Sequence, residues 1–414
     1  MLGQQNIKGT TIEELNIAGK PFDIAKLKFD VYTELAHVPQ LVWNSLAADK
    51  NALHTSYLSV LETVDLKDIQ NIYVIYKYNE EAIGITFFQK LFFTGAALTP
   101  YLPQPNNFIR KQFFNFVAKI TAVIKGYILV AGNLLLTGDG GFNFNQNFSP
   151  QIVSNLLKAA GDYIIATAKT HKIQLSILTD FTAVYADEAV SKTLCKACSY
   201  NMFEADPNLV LDISRWTSFE GYKQALTSKY RVRLKKVLKE SSNLERFEIN
   251  LANFETHSNT INILYQNVMD RIPFKMAVVN ADYFKLLLQG LNGKFKIYGY
   301  LLNSKLVGFI TAFTENELYE VHLIGLDYSI SSSNRLYNRI LYDMIELGIE
   351  GNFKTISFGR TANEIKSTIG AVPERMICYM KHRNFLLNQF TGLVLKVFKP
   401  QPWQQRHPFK NNVA

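Results

Sequence analysis

The feature that most constrains this chain is that it repeats itself. EEAIGITFFQ at residues 80–89 aligns with SKLVGFITAF at 304–313, and Gly84 falls opposite Gly308. The same order of elements surrounds both copies. In the first half, Ile72-Tyr73-Val74-Ile75-Tyr76 and Ala82–Phe88 read as the arms of a hairpin turning at Asn79-Glu80-Glu81. Gly126–Leu136 reads as a further strand, broken by Thr137-Gly138-Asp139-Gly140-Gly141. Ser149-Pro150 then supplies a helix cap and first turn. Ile152, Leu156, Leu157, Ala160, Ile164 and Ile165 follow at helical spacing, and Ile173–Leu178 reads as the next strand. In the second half, Phe295–Leu301 and Leu306–Phe313 form a hairpin about Asn303-Ser304-Lys305. Leu318–Leu326 is a third strand and Ser331–Asn334 a polar break. Leu336, Ile340, Leu341, Met344, Ile345 and Ile349 line a helix, and Thr355–Phe358 is the closing strand. The order is one structural unit used twice, with an additional stretch at about 92–125 in the first copy.

A chain of 414 residues is long enough for two or three cores, which agrees with a duplication. The expected division is an N-terminal domain at 1–206, a C-terminal domain at 207–385 and a tail at 386–414, with the seam near Pro207. Hydrophobic residues make up 48% and charged residues 19%, which excludes general disorder. The net charge of +9 favours anionic partners: CoA, an acyl carrier protein, nucleic acid or acidic lipid. Lys229, Arg231, Arg233, Lys235, Lys236 and Lys239 concentrate that charge on one predicted helix. Residues 1–20 lack the basic-then-apolar pattern of a signal peptide, and the longest apolar stretch is too short to span a bilayer. Three cysteines fit a reducing compartment. Cys195-Lys-Ala-Cys198 has no second ligand pair, so no metal is expected. A cytoplasmic protein is the expectation.

Two motifs then carry a family resemblance. One is Tyr222 with Leu226-Thr227-Ser228-Lys229-Tyr230-Arg231-Val232-Arg233-Leu234-Lys235-Lys236. The other is Phe358-Gly359-Arg360-Thr361-Ala362-Asn363-Glu364-Ile365-Lys366-Ser367, continuing through Gly370-Ala371-Val372-Pro373. With the element order, they resemble the GNAT acyltransferase fold in tandem, as in Fem-type aminoacyltransferases and the FemAB-like, BioF-associated acetyltransferase-like group. The detailed match covers about 210–385, and the first half joins it by element order. The resemblance implies an α/β (α+β) chain of two GNAT domains, each a mixed sheet flanked by helices. It implies a bacterial enzyme moving an acyl group from acyl-CoA or another acyl thioester, such as acyl carrier protein, to an amine. A Fem-type transferase would instead take its group from aminoacyl-tRNA and act on a cell-wall or lipid precursor. A third possibility is a non-catalytic binding module. It draws on a departure from the family pattern: Asp327–Asn334 lacks the glycines of an acetyl-CoA pyrophosphate cradle.

Acyl transfer to an amine needs positioning, a base and oxyanion donors rather than a nucleophilic triad, and no triad is visible. Arg360, directly after a strand, is placed to clamp a carboxylate or phosphate, and Lys366 to bind a similar anion. Asn363, Glu364 and Ser367 present polar groups from the same turn, whose plainer role is an ordinary surface helix start. Glu320 and His322 alternate on one strand face, and either can serve as base if that face lines a cleft; otherwise they are an exposed polar pair. Lys229, Arg231, Arg233 and Lys236 are candidate contacts for CoA, a carrier protein or tRNA, or simply a solvated helix. Backbone groups at Ser332, Ser333, Asn334 and Arg335 are candidates to face a cofactor phosphate at a helix start. Aromatic interleaving is slight, so DNA is not an expected partner. The apolar, basic tail either packs on its own domain or touches a membrane surface.

Overall fold

A computed structural model describes residues 16–17, 20–21, 26–64, 66, 68–96, 111–112, 115, 118–119, 125–138, 141–145, 148–168, 172–182, 188–272, 275–331, 334–395 and 402–410. Ser332, Ser333, Asp139, Gly140 and most of the inserted stretch at 92–125 lie outside the described residues. The chain divides into two compact units. The first holds Met1–Ala205 and Arg375–Pro400; the second holds Asp206–Glu374 and Gln401–Ala414. The segment expected to finish the second domain and begin a tail therefore returns to the first unit before the chain re-enters the second.

In the first unit, β1 (Leu27–Tyr32) is followed by α1 (Gln40–Ala47) and α2 (Thr55–Thr63). β2 (Ile69–Tyr78), β3 (Glu81–Thr94) and β4 (Lys125–Ala131) come next, then β5 (Phe142–Phe144), α3 (Pro150–Thr167) and β6 (Ile173–Phe181). Strands β1 to β4 pair antiparallel in sequence order, and β5 pairs with β3. β4 then runs parallel to β6, which requires the crossover that α3 provides. Ser149 caps α3 by accepting from the Ile152 amide at 3.3 Å, as its sequence predicts.

The second unit takes the C-terminal part of β7 (Asn201–Asp212). α4 (Phe219–Ala225), α5 (Ser228–Glu240), β8 (Leu244–Ile249), α6 (Phe254–Met269) and α7 (Ala281–Gly290) follow. The meander β9 (Phe295–Leu302), β10 (Lys305–Glu315) and β11 (Leu318–Leu326) leads to α8 (Leu336–Glu350) and β12 (Thr355–Ser357). α9 (Asn363–Ser367) follows; the chain then runs through β13 (Val372–His382) and α10 (Phe385–Leu395), which from Arg375 onward belong to the first unit. Strands β8 to β11 pair antiparallel, β11 pairs parallel with β12, and β12 pairs antiparallel with β7. β13, from Ile377 onward, pairs antiparallel with β6 of the first unit.

The two hairpins match to the residue. Asn79 and Glu80 have φ of 50° and 67°, and Asn303 and Ser304 have φ of 49° and 62°. Two successive positive values make the two-residue turn whose twist suits a right-handed hairpin. Tyr76 faces Gly84 in one copy and Tyr300 faces Gly308 in the other, with a register shift directly after each tyrosine. The aligned glycines are therefore structurally equivalent.

Six residues predicted to line the second helix, Leu336, Ile340, Leu341, Met344, Ile345 and Ile349, are all buried. They form one core with Leu211, Ile213, Tyr319 and Ile356. On the other side of the meander α6 lies close to β11, and Gly325 makes that approach possible. A Cβ there would overlap the Phe309 ring and come within 2.9 Å of the Leu264 backbone. Residues 402–410 pack on the second unit: the Phe409 ring lies 5.1 Å from Trp216, and the Thr227 amide donates to the Pro408 carbonyl at 2.8 Å. Because neither neighbour of Gly325 can move cheaply, Gly325→Ala is expected to lower stability by about 1–3 kcal/mol, measured by urea unfolding.

Candidate active site

Parallel pairing of β11 with β12 covers only Leu318–Glu320 against Thr355–Ser357. β11 then continues to Leu326 while β12 ends, so the two strands part. Past Glu320, the β12 side of β11 has no strand partner among the described residues. A bulge lies at the fork. Thr311 Oγ1 accepts from the Leu323 amide at 2.9 Å and donates to the Leu323 carbonyl at 3.0 Å, bridging a shift in the β10–β11 register. Bulges of this kind bend a strand and re-aim its side chains.

Glu320 sits at the last paired position, beside Ser357 on one side and Phe313 on the other. Burial, with the Glu315 carboxylate behind it, pushes the Glu320 carboxyl up to about 8. His322 shares this region: its ring centroid is 4.9 Å from that of Phe313, and its Nε2 lies 3.0 Å from the Tyr283 hydroxyl. Burial among these aromatic groups takes the imidazole down to about 3. The sequence expectation of a histidine poised near 6.5 is therefore corrected. His322 is neutral at physiological pH, and of the pair only Glu320 titrates near it.

The chain leaving β12 forms a tight loop. Gly359, Thr361 and Ala362 have φ of 68°, 68° and 51°. For two non-glycine residues this is a strained arrangement that needs support from its surroundings. Lys366 supplies it. The side chain, only 5% exposed, donates from Nζ to the carbonyls of Phe358 at 2.7 Å, Gly359 at 3.1 Å and Arg360 at 2.7 Å. An ammonium has three protons, and here three carbonyls take them. Lys366 is thus oriented into its own loop rather than toward an incoming anion. Its burial pulls the amine down to about 7, while the three carbonyls favour the charged form.

The rest of the motif is distributed around this loop. Arg360 is half-buried within it. Asn363 Oδ1 is buried with no hydrogen-bond partner among the described residues. Glu364 accepts from Arg406 Nε at 3.1 Å, and the buried Ser367 donates to the Glu364 carbonyl at 2.8 Å and accepts from the Arg406 amide at 3.0 Å. Arg406 carries no signal in the sequence, because it meets the motif only through folding. Gly370 has φ of 98°, and a Cβ there would overlap the Phe409 ring.

The expected anion contacts separate. Arg231 donates to the carbonyls of Lys223, Gln224 and Leu226 at 3.3, 3.2 and 2.8 Å, closing the end of α4. Lys229, Arg233 and Lys236 are exposed on α5, with Lys236 3.6 Å from Glu240. Arg335 pairs with Glu240 at 2.7 Å, and Asn334 donates to Asn243 at 3.1 Å. Arg335 also takes the left-handed conformation at the start of α8, and its own side chain does not cap the first amides.

No protein-family model and no curated protein matches the chain. Among solved structures, FemX superposes with a TM-score of 0.52 at 9% identity, covering 88% of this chain and all 100% of FemX. A tandem GNAT protein from the clavulanic acid biosynthesis pathway is 10% identical, covers 86% of this chain and 99% of its own, and has a TM-score of 0.47. L-PGS from Bacillus licheniformis is 11% identical, covers 84% and 97%, and has a TM-score of 0.45. The last two are too distant in shape to carry an argument.

If Lys366 holds the loop, Lys366→Met is expected to lower stability by about 2 kcal/mol or more, since it strands buried carbonyls. A variant with an unchanged unfolding midpoint would remove the latch role. The likeness to FemX is one of fold: an α/β fold in two units, each with a mixed sheet and flanking helices.

Proposed function

We propose that this chain is an N-acyltransferase that moves an acyl group from a thioester, carried by CoA or an acyl carrier protein, to an amine at the β11–β12 fork. The observation that carries the proposal is Glu320, a carboxyl pushed up to about 8 at the point where two parallel strands separate. A fork of this kind leaves backbone amides of β11 facing an open edge, where a thioester can be held by strand-like hydrogen bonds. A carboxyl near 8 is matched to taking a proton from an amine close to neutrality. In the proposed step Glu320 takes a proton from the substrate ammonium and frees its lone pair. The nitrogen attacks the thioester carbonyl, a C–N bond forms and the C–S bond breaks. The proton shed by the nitrogen ends on the departing thiol. His322, neutral and tied to Tyr283, helps wall the base from water. Asn363 and Arg360 are proposed as substrate contacts beside the loop that Lys366 holds. The first amides of α8 are proposed to face a donor phosphate, with Asn334 and Arg335 alongside.

Exposed Lys229, Arg233 and Lys236 also favour a second donor, aminoacyl-tRNA, in the Fem manner. The two donors differ in salt response. Thermal stabilisation by acyl-CoA or acylated carrier protein, with turnover, supports the first; stabilisation by charged tRNA alone supports the second. Stabilisation by none of them would favour a binding module and would contradict transfer. Glu320 must be deprotonated to act, so kcat/KM is expected to rise with pH and level off above about 8. Glu320→Gln is expected to lower kcat at least 100-fold and to abolish that rise. A retained limb near 8 in the variant would place the base elsewhere. Arg233→Glu together with Lys236→Glu is expected to raise KM for the donor several-fold at low salt while sparing kcat.

A further inference from the structure

α10 is amphipathic the wrong way round. Its covered side is polar over the first two turns, and only at its end do Val394 and Leu395 turn in. Asn388 and Thr391 are buried, and Asn388 accepts from the His382 amide at 2.8 Å and donates to the Ser199 carbonyl at 2.7 Å. Asn201 also donates to Asn388 Oδ1 at 3.1 Å. The next turn comes down on Gly392, where a Cβ would stand 2.5 Å from Asn201 Oδ1. These contacts fix which face of α10 is turned in. The face turned out carries Phe385, 67% exposed, and Leu386, 68% exposed, with Leu387 and Phe390 both 42% exposed. A helix normally buries such residues and exposes its asparagines and threonines. Here the polar residues are specifically bonded, so the helix cannot simply rotate.

The charge flanking α10 along the chain has one sign: residues 381–399 contain Lys381, Arg383, Lys396 and Lys399, and no aspartate or glutamate. Lys381 and Arg383 precede α10, Lys396 and Lys399 follow it, and the helix itself carries no charge. An apolar strip with cations at both ends matches a bilayer interface with anionic headgroups. A second copy of the chain fits poorly. Two such helices packed about a two-fold axis would bring the leading cations of one against the trailing cations of the other. Among the described residues no helix is long and apolar enough to cross a membrane, so the contact would lie in the interface plane.

We propose that α10 docks the protein on anionic membrane surfaces, with Phe385, Leu386 and Phe390 entering the headgroup region. This holds whether or not the second unit transfers acyl groups. The test is flotation of the full chain with vesicles of phosphatidylcholine alone or mixed equally with phosphatidylglycerol. Binding is expected on the anionic vesicles and at least tenfold weaker on the neutral ones. A triple variant, Phe385→Ser, Leu386→Ser and Phe390→Ser, is expected to lose binding at least tenfold with an unchanged Tm. Arg383→Glu should weaken binding several-fold at low salt and not in 0.5 M salt, about the concentration at which screening is complete. No binding of the wild type to anionic vesicles overturns the proposal. So does a wild-type dimer in solution that the triple variant converts to monomer, which would assign the face to a second copy.

Discussion

One ammonium group organises the motif region of the second unit. Lys366 Nζ gathers the carbonyls of Phe358, Gly359 and Arg360, which would otherwise point together into a low-dielectric space. The latch holds a loop with three left-handed residues and fixes where the chain leaves β12. That exit is one side of the fork; the bulge of β11 on Thr311 is the other. Arg406 then ties Glu364 and Ser367 to the chain end, and Tyr222 donates to the Ile369 carbonyl at 2.9 Å. The motif thus reads chiefly as architecture around an open strand edge, with Arg360 and Asn363 as its proposed ligand-facing members.

Two acidic groups show how environment separates roles. Asp343, 3% exposed, is raised by burial, yet Arg339 at 2.7 Å and Arg246 at 3.7 Å pull the other way. It belongs to a buried ion network between α8 and β8. Glu320, at the fork, is raised both by burial and by the Glu315 carboxylate. Paired burial serves the fold, whereas uncompensated burial at an opening is the pattern expected of a proton-transfer group.

Much of the architecture was legible because local chemistry dictates it. Asn79-Glu80 and Asn303-Ser304 sit between alternating apolar runs, so both hairpins and their correspondence follow from the chain. Ser149-Pro150 and the apolar spacing after it fix α3. What the sequence hides is non-local. A lysine two residues after a glutamate in a short helix looks solvent-facing, and only the loop geometry reveals three carbonyls around Lys366. His322 alternates correctly with Glu320, but the aromatic burial that removes its charge comes from Tyr283 and Phe313. Arg335 reads as a lone cation in the sequence, and folding sets it against Glu240, far back in the chain. The return of 375–400 to the first unit follows from the pairing of β13 with β6, which no local residue pattern announces.

The most direct test of transfer at the fork is a crystal structure with a non-hydrolysable acyl-CoA analogue. The acyl carbonyl should lie between β11 and β12, hydrogen-bonded to the open edge of β11, with a Glu320 carboxylate oxygen facing the space left for the amine. An analogue bound instead in the first unit, or in the second unit with its acyl group turned away from Glu320, would contradict the assignment.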